Sequence, residues 1–200
     1  MRASVTKSKR QPESHDYRNR LRFHNVKEQH LTLGEVAERM MTFISEDPRA
    51  AYHFAIGTDS QVHPSHTKFI TGLVLRRVGK GAWACYRPFV LNRELASIRE
   101  KLAFETSLSQ EMAAYLEEHR IVPAMEELIL PYVYQGGELR TFIDIDAGTE
   151  PCLNPTHLYV QEMIARVETI GSYVPRVKPE AYCASSYANR YTKRPARIVM

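Results

Sequence analysis

Acidic side chains fall at three places in this sequence where an apolar pattern predicts the protein core. Asp59 ends the apolar run HFAIGTDSQVH, residues 53–63. Glu105 lies in SIREKLAFETSLSQEMAAYLEEH, and on a helical wheel it falls near the middle of the apolar arc, beside Met112 and Ile98. In FIDID, Asp144 and Asp146 face the same way because side chains alternate along a strand. Burying a charge is costly without a partner, so these acids are candidates for a functional site.

Carboxylates from a first strand, a following helix and a later strand can converge on a divalent cation. Mg²⁺ and Mn²⁺ prefer such oxygen ligands. Two such ions, about 4 Å apart, stabilise the attacking and leaving oxygens of an in-line phosphoryl displacement. Because no nucleophile–base pair accompanies the acids, the pattern favours metal-assisted hydrolysis over covalent catalysis.

Each acid also has an ordinary structural interpretation. Asp59 would suit the first position of a loop. Glu105 would suit a pair with a core Arg or Tyr, or a helix end that leaves the core. Asp146 would suit a loop that already begins at the following residues, Ala147 and Gly148.

The elements that position these acids follow from hydrophobic periodicity and turn residues. Thr32 and Glu35 fit a capping box and predict a helix over residues 32–45. A first strand at about 53–58 precedes a hairpin, KFITGLVLRRV and AWACYRPFVL, joined by a turn containing two glycines. A long helix at about 97–119 follows.

The second half of the chain alternates strands and helices. ELRTFIDID is predicted as a fourth strand, residues 156–170 as an amphipathic helix closed by Gly171, and residues 173–177 as a short strand. A last helix begins near Ala184. The order βββ–α–β–α–β–α, after an N-terminal helix, predicts an α/β fold with a mixed five-stranded sheet flanked by helices on both faces.

Composition predicts one globular domain with a basic arm. The chain has 200 residues, 44% of them hydrophobic and 25% charged. Residues 1–30 carry eight Lys and Arg against three acids, although the whole chain has a net charge of only +4. We therefore expect a basic arm over residues 1–30 and a single domain over residues 31–200. The arm either contacts nucleic acid phosphates or is a solubilising, flexible terminus.

Several classes of protein are excluded by what the sequence lacks. No apolar stretch approaches the roughly 20 residues of a membrane helix, and the N-terminus has no apolar segment behind its charges, as a secretory signal would. The three cysteines are scattered without a CxxC pair, which argues against a disulfide framework or a zinc ribbon. The expected setting is the reducing cytoplasm, with no membrane partner.

These motifs resemble the ribonuclease H-like fold and, more closely, the YkuK-type family of predicted ribonuclease H-like proteins. The resemblance covers about residues 50–194 and is carried by IGTDSQVH, TKFITGLVLRR, GKGAWACYR, REKLAFETSLSQE, LPYVYQGGEL, YVQEMIARVETIG, VKP and ASSYANRYTK. It implies that Asp59, Glu105 and Asp144 are the catalytic, metal-binding acids and that the cofactor is Mg²⁺ or Mn²⁺.

The chain departs from the superfamily pattern on the last helix. That pattern places a fourth acid there, and the matching position in ASSYANRY is Asn189. Its carbonyl oxygen can bind a metal, but the side chain carries no negative charge. Asp146 is the candidate to supply the missing charge from the other side of the site.

Two functional classes follow from this resemblance. One is a metal-dependent nuclease that hydrolyses phosphodiester bonds in RNA or DNA, which would make the protein a hydrolase. The other is a catalytically weak or inactive module that binds nucleic acid or a protein partner. The candidates for nucleic-acid contacts, each of which also suits an ordinary surface position, are Gln61, His63, Lys68 and Arg190.

Two other phosphate-handling families share short motifs with the chain. FIDIDAGT superficially resembles the DxD motif of haloacid dehalogenase-type phosphatases, but that motif opens its domain, and only about 50 residues follow it here. GTDSQ resembles the phosphate loop of actin- and sugar-kinase-type ATPases, which share the ribonuclease H-like core. Those ATPases need two domains of this kind, whereas 200 residues hold one, so this interpretation is not favoured.

Overall fold

The structure, a computed structural model, describes residues 21–151 and 154–193. Residues 1–20 of the predicted basic arm lie outside the described residues, as does Cys152. The rest of that arm is placed against the sheet: Phe23 is fully buried, and His24 exchanges backbone hydrogen bonds with Tyr86. Among the described helices, none is both long enough and apolar enough to cross a bilayer.

Five strands form one mixed sheet in the order β3–β2–β1–β4–β5. The first three strands pair antiparallel, and β4 pairs parallel with both β1 and β5. This arrangement confirms the predicted α/β fold with a mixed five-stranded sheet. The strand bounds are β1 Ala51–His63, β2 His66–Arg77, β3 Gly81–Leu91, β4 Glu138–Gly148 and β5 Val174–Lys178.

Four helices cover one face of the sheet and enclose the larger core: α1 Leu33–Ser45, α2 Ile98–Glu118, α3 Ile121–Ile129 and α4 Val160–Glu168. The capping box of α1 is present, with the Thr32 side chain accepting from Glu35 N and the Glu35 carboxylate accepting from Thr32 N. Ser97 caps α2 at its N-terminus and His119 ends it. Both predicted helices are therefore confirmed.

The other face of the sheet is covered by a C-terminal helical segment, residues 183–192. It begins as a wide π-helical turn, Cys183–Ala188, and continues as a short α-helix, α5 Asn189–Thr192. Smaller apolar clusters lie beneath it, one containing Ala55 and Cys183 and another containing Ile70 and Tyr191. The sheet therefore carries helices on both faces, as the sequence predicts.

One predicted helix differs in detail from the structure, and one further element was not predicted. The helix expected over residues 156–170 begins as a 3₁₀ helix, Pro155–Tyr159, before α4. A further 3₁₀ helix, Leu130–Gln135, precedes Gly136. In both, proline lies at the N-terminal end of the 3₁₀ helix, where its missing N–H leaves no helical hydrogen bond unmade.

Side-chain alternation along β1 directs neighbouring residues to different layers. Phe54 and Ile56 pack in the larger core beneath α2, whereas Ala55 packs against the C-terminal helical segment. A Cβ on Gly57 would lie only 2.5 Å from Ala184 N. Because Gly57 has no side chain, the C-terminal helical segment packs directly against β1. This packing brings the end of the segment close to Asp59.

Candidate active site

Asp59 lies on β1 and points towards the C-terminal helical segment. It is 5% exposed. Its Oδ2 accepts a hydrogen bond of 2.6 Å from Thr192 Oγ1, at the end of α5. Burial raises the pKa of Asp59, while the Thr192 hydroxyl and the nearby Lys101 ammonium act in the opposite direction. Asp59 is thus a buried carboxylate within a strand, not the first residue of a loop.

Glu105 reaches the same end of β1 from the opposite layer. It lies on α2 and is 3% exposed. Ser60 Oγ, on the residue after Asp59, donates to Glu105 Oε1 over 2.7 Å. Burial raises the pKa of Glu105 to about 8, although Lys101 opposes this rise. The helical wheel therefore placed Glu105 on the correct face of α2.

Lys101 links the two acids. Its Nζ lies 3.2 Å from Glu105 Oε1 and 3.9 Å from Asp59 Oδ1. Burial lowers the pKa of Lys101, but the charges of Glu105 and Asp59 outweigh it and leave the pKa raised. Sequence reasoning missed this residue, although its position four residues before Glu105 on one helix puts both side chains on the same face.

Asp146 lies on β4, the strand that neighbours β1. The parallel pairing of the two strands ends where Gly57 is opposite Asp144, and Asp59 and Asp146 each lie two residues beyond that pair. The charge of Asp146 raises the pKa of both Asp59 and Glu105. The strand β4 continues to Gly148, which places Asp146 within the strand rather than in a loop.

One oxygen of Asp146 is incompletely satisfied. Asp146 Oδ1 lies 3.0 Å from Lys178 Nζ, so the two charges attract each other. The same oxygen is shielded from solvent and has no hydrogen bond of acceptable direction. Asp146 is therefore paired with Lys178 by charge, without a directed hydrogen bond to this oxygen.

Asp144 has a different set of partners. Its Oδ1 accepts from Arg176 Nε over 2.7 Å, and its Oδ2 accepts from the backbone N–H of Cys183 over 2.7 Å. Arg176 is itself held between the rings of Phe142 and Tyr182, at 4.0 and 4.6 Å. Burial raises the pKa of Asp144 to about 6 against these donors, and no other acid contributes to the rise.

The structure therefore brings Asp59, Glu105 and Asp146 into one electrostatic group and places Asp144 in an ion pair with Arg176. The resemblance implies Asp144, rather than Asp146, as the third acid of the site, whereas strand periodicity alone does not separate the two because both lie on one face of the same strand. The contacts of Asp144 join β5 and the first turn of the C-terminal helical segment to β4.

The amide nitrogen of Asn189 binds within its own helical segment. Its Nδ2 donates to Ser185 O over 3.0 Å, within the same helical segment. Thr192, three residues further along, is the side chain of this segment that reaches Asp59. Sequence reasoning missed Thr192 because a matched motif gives the position of a residue, but not the direction in which a non-standard helical turn presents it.

The four candidates for nucleic-acid contact are placed differently from one another. Gln61 and Arg190 are exposed. The ring of His63 stacks on that of His66 at the β1–β2 turn, with centroids 4.6 Å apart. Lys68 Nζ donates to the carbonyls of Tyr191 and Thr192, at 2.9 and 3.4 Å, so it binds the C-terminal end of α5.

The chemistry of the three acids fits a hard divalent cation, although the side chains are not yet arranged around one. Carboxylate oxygens are the ligands that Mg²⁺ and Mn²⁺ prefer, and Asp146 Oδ1 lacks a directed donor. Within residues 21–151 and 154–193, no three Asp, Glu, His or Cys side chains converge at metal-binding positions. The ammonium of Lys101 instead lies between Asp59 and Glu105.

Comparisons with known proteins agree with this fold. The model of the family described as "Ribonuclease H-like" matches residues 35–193. The chain is also 40% identical over 171 residues to a protein of Bacillus subtilis (strain 168) described as "Uncharacterized protein YkuK". That match covers 86% of this chain and 96% of the relative. No solved structure matches the chain.

The chain therefore belongs to the ribonuclease H-like family and, within it, to the YkuK type. Family membership agrees with the strand order, in which three antiparallel strands precede two parallel ones. It defines a fold; it does not by itself define a reaction.

Proposed function

We propose that this protein is a divalent-metal-dependent nuclease that hydrolyses phosphodiester bonds in RNA or DNA, with Mg²⁺ or Mn²⁺ as cofactor. The observation that carries the proposal is the meeting of Asp59 and Glu105, two almost fully buried acids from opposite layers, at one ammonium. Proteins rarely bury such a pair without a use for it, since the burial of each charge costs free energy.

In this proposal Asp59, Glu105 and Asp146 are the acids that hold the cation. A bound divalent cation would activate a water molecule and stabilise the charge that develops on the phosphate. The Thr192 and Ser60 hydroxyls orient the carboxylates of Asp59 and Glu105 through short hydrogen bonds. Asp144 acts as a positioning residue, because it fixes the first turn of the C-terminal helical segment.

Nucleic-acid contacts in this proposal come from side chains around the end of β1. Gln61 and Arg190 are exposed and free to face a phosphate or a base, and the stacked His63 and His66 lie at the nearby turn. Lys68 acts indirectly, because its ammonium holds the carbonyl of Thr192 while the Thr192 hydroxyl holds Asp59.

The thiols support the proposed reducing, cytoplasmic setting. Cys85 and Cys183 are both free and buried. Burial raises the pKa of each thiol well above its ordinary value, so both remain protonated. They behave as packing residues rather than as redox or metal-binding groups.

A catalytically inactive module that binds nucleic acid or a protein is the second candidate function. Lys101 favours it, since the ammonium already neutralises charge where a cation would bind. So do Asn189 and Thr192, because neither supplies the negative charge that the superfamily pattern has on this helix.

Cleavage by the purified full-length chain tests the proposal. RNA, DNA and RNA–DNA hybrid substrates would be incubated with Mg²⁺ or Mn²⁺ and with EDTA. We expect metal-dependent cleavage that falls by about 100-fold or more in Asp59→Asn. Asp47→Asn is the matched control, because Asp47 forms a more exposed ion pair with Lys80. We expect it to retain activity.

If no substrate is cleaved with either metal, but the protein retards RNA or DNA in a gel, the binding-module function is correct. If the wild type and Asp59→Asn cleave equally, the activity does not arise from this site.

A further inference from the structure

The ammonium of Lys101 occupies the position in which a cation would balance Asp59 and Glu105. Its two distances, 3.2 Å to Glu105 and 3.9 Å to Asp59, place it against both acids at once. Lys178 lies beside the third acid, Asp146, at 3.0 Å. Three carboxylates therefore face two lysines, and most of the negative charge that would attract a divalent cation is already balanced.

From this arrangement we infer that Lys101 is a tethered, displaceable cation that competes with the divalent metal ion for Asp59 and Glu105. The inference rests on the proposed metal site and adds a determinant of its affinity. An ammonium and a metal ion cannot occupy the same space between two carboxylates, so metal binding requires Lys101 to move away.

The relative exposure of the groups shows which of them would move. The Lys101 side chain is 31% exposed, whereas those of Asp59 and Glu105 are 7% and 4% exposed. Thr192 and Ser60 hold the two carboxylates by hydrogen bonds of 2.6 and 2.7 Å. A lysine side chain is flexible and strongly hydrated at its tip, so it can turn to solvent while the acids stay in place.

Competition has a consequence for the protein without metal. Lys101 lies against both buried acids and stabilises the site when no metal is bound. The same contacts weaken the binding of a metal ion, because the apparent metal affinity is reduced by the free energy needed to displace the ammonium. Neutralising Lys101 should therefore strengthen metal binding and weaken the metal-free fold.

Mn²⁺ binding by full-length Lys101→Met is the test, with no nucleic acid present. Methionine keeps an aliphatic stem but removes the charge. We expect its dissociation constant for Mn²⁺, measured by electron paramagnetic resonance of free Mn²⁺, to be at least about tenfold lower than that of the wild type. Lys101→Arg keeps the charge and should stay close to the wild type. Lys80→Met, which removes the partner of Asp47, is the matched control and should bind as the wild type does.

Thermal unfolding gives a second readout. Without metal, Lys101→Met should unfold at a lower temperature than the wild type, and Mn²⁺ should raise its midpoint by more than it raises that of the wild type. If Lys101→Met does not fold without metal, Lys101→Gln, whose amide can still donate to Glu105, is measured in its place.

The inference would be overturned if the neutral variants bind Mn²⁺ as weakly as the wild type does, or more weakly. It would also be overturned if no variant binds Mn²⁺, because removal of the Lys101 charge should make the site accessible to the metal ion. These results are separable from those of the cleavage assay. Tighter metal binding without cleavage supports the role of Lys101 and opposes the nuclease. Cleavage by the wild type with unchanged affinity in Lys101→Met supports the nuclease and opposes the role of Lys101.

Discussion

Single residues around Asp59 and Glu105 show how the protein tolerates buried charge. Each acid accepts one hydrogen bond from a hydroxyl, Thr192 or Ser60, and the two share the ammonium of Lys101. One shared cation does not offset the burial of two carboxylates, so the pKa of each is raised. The hydrogen bonds and the shared ammonium therefore offset only part of the free energy that burial of the two acids costs.

Glu105 predicts a dependence of stability on pH. Its pKa is near 4.5 when unfolded and about 8 when folded, so between these values the folded state holds a proton that the unfolded state has released. The free energy of unfolding in metal-free buffer should therefore fall as pH rises from about 5 to 8, by roughly 3 to 4 kcal/mol.

Denaturant unfolding of Glu105→Gln across this pH range measures the effect, because the amide cannot titrate. The variant should lose less stability than the wild type over the same range. Glu111→Gln is the control, since Glu111 lies on the exposed side of the same helix. A wild-type slope that is unchanged in Glu105→Gln would show that another group is responsible.

At the scale of elements, the site depends on how closely the C-terminal helical segment approaches the sheet. A Cβ at Gly57 would lie 2.5 Å from Ala184 N and 3.0 Å from Ala184 Cα, both backbone atoms that cannot turn aside. A Cβ at Gly72 would meet Tyr187 Cδ1 at 2.8 Å. These two glycines are therefore what allows Thr192 to reach Asp59.

Gly57→Ala should destabilise the protein by about 2 kcal/mol or more, because the segment must shift away from β1. Gly34→Ala is the matched substitution. Gly34 lies in α1, the nearest atom to its added Cβ is 4.0 Å away, and alanine favours helix, so this variant should gain about 0.5 kcal/mol. Chemical denaturation of both proteins checks the pair, and similar stability of the two variants would contradict the close approach.

Elements whose signals are local could be predicted from the sequence. The Thr32–Glu35 capping box and the Ser97 cap mark the starts of α1 and α2. The helical period of 3.6 residues correctly predicted that Glu105 faces the core. The same wheel also placed Ile98 on the buried face, whereas it is 45% exposed, since only packing decides where the first turn of a helix meets the core.

Features that depend on distant pairing could not be predicted. The parallel pairing of β1 and β4 joins residues 87 positions apart, such as Gly57 and Asp144, and leaves no mark in either strand. A wide π-helical turn precedes Thr192, and a motif centred on Asn189 does not show the rotation that such a turn introduces. Lys101 was detectable by its spacing from Glu105, but its contact with Asp59 depends on the packing of α2 on β1.

At the scale of the whole molecule, the candidate site lies where the two helical layers meet at the end of β1. Asp59 is held by the C-terminal helical segment on one face, and the next residue, Ser60, is held by Glu105 of α2 on the other. The site is complete only when both layers are packed on the sheet. This position explains why the acids are buried and yet Lys101 still reaches solvent.

Anomalous diffraction from a Mn²⁺-soaked crystal of the wild-type protein tests whether Asp59, Glu105 and Asp146 hold a divalent cation, as we propose. We predict an anomalous peak in contact with these three carboxylates, with the Lys101 ammonium turned to solvent and Asp144 still bound to Arg176. The proposed metal site would be wrong if no anomalous peak appears at saturating Mn²⁺. It would also be wrong if the metal ion is bound by Asp144 while Lys101 remains between Asp59 and Glu105.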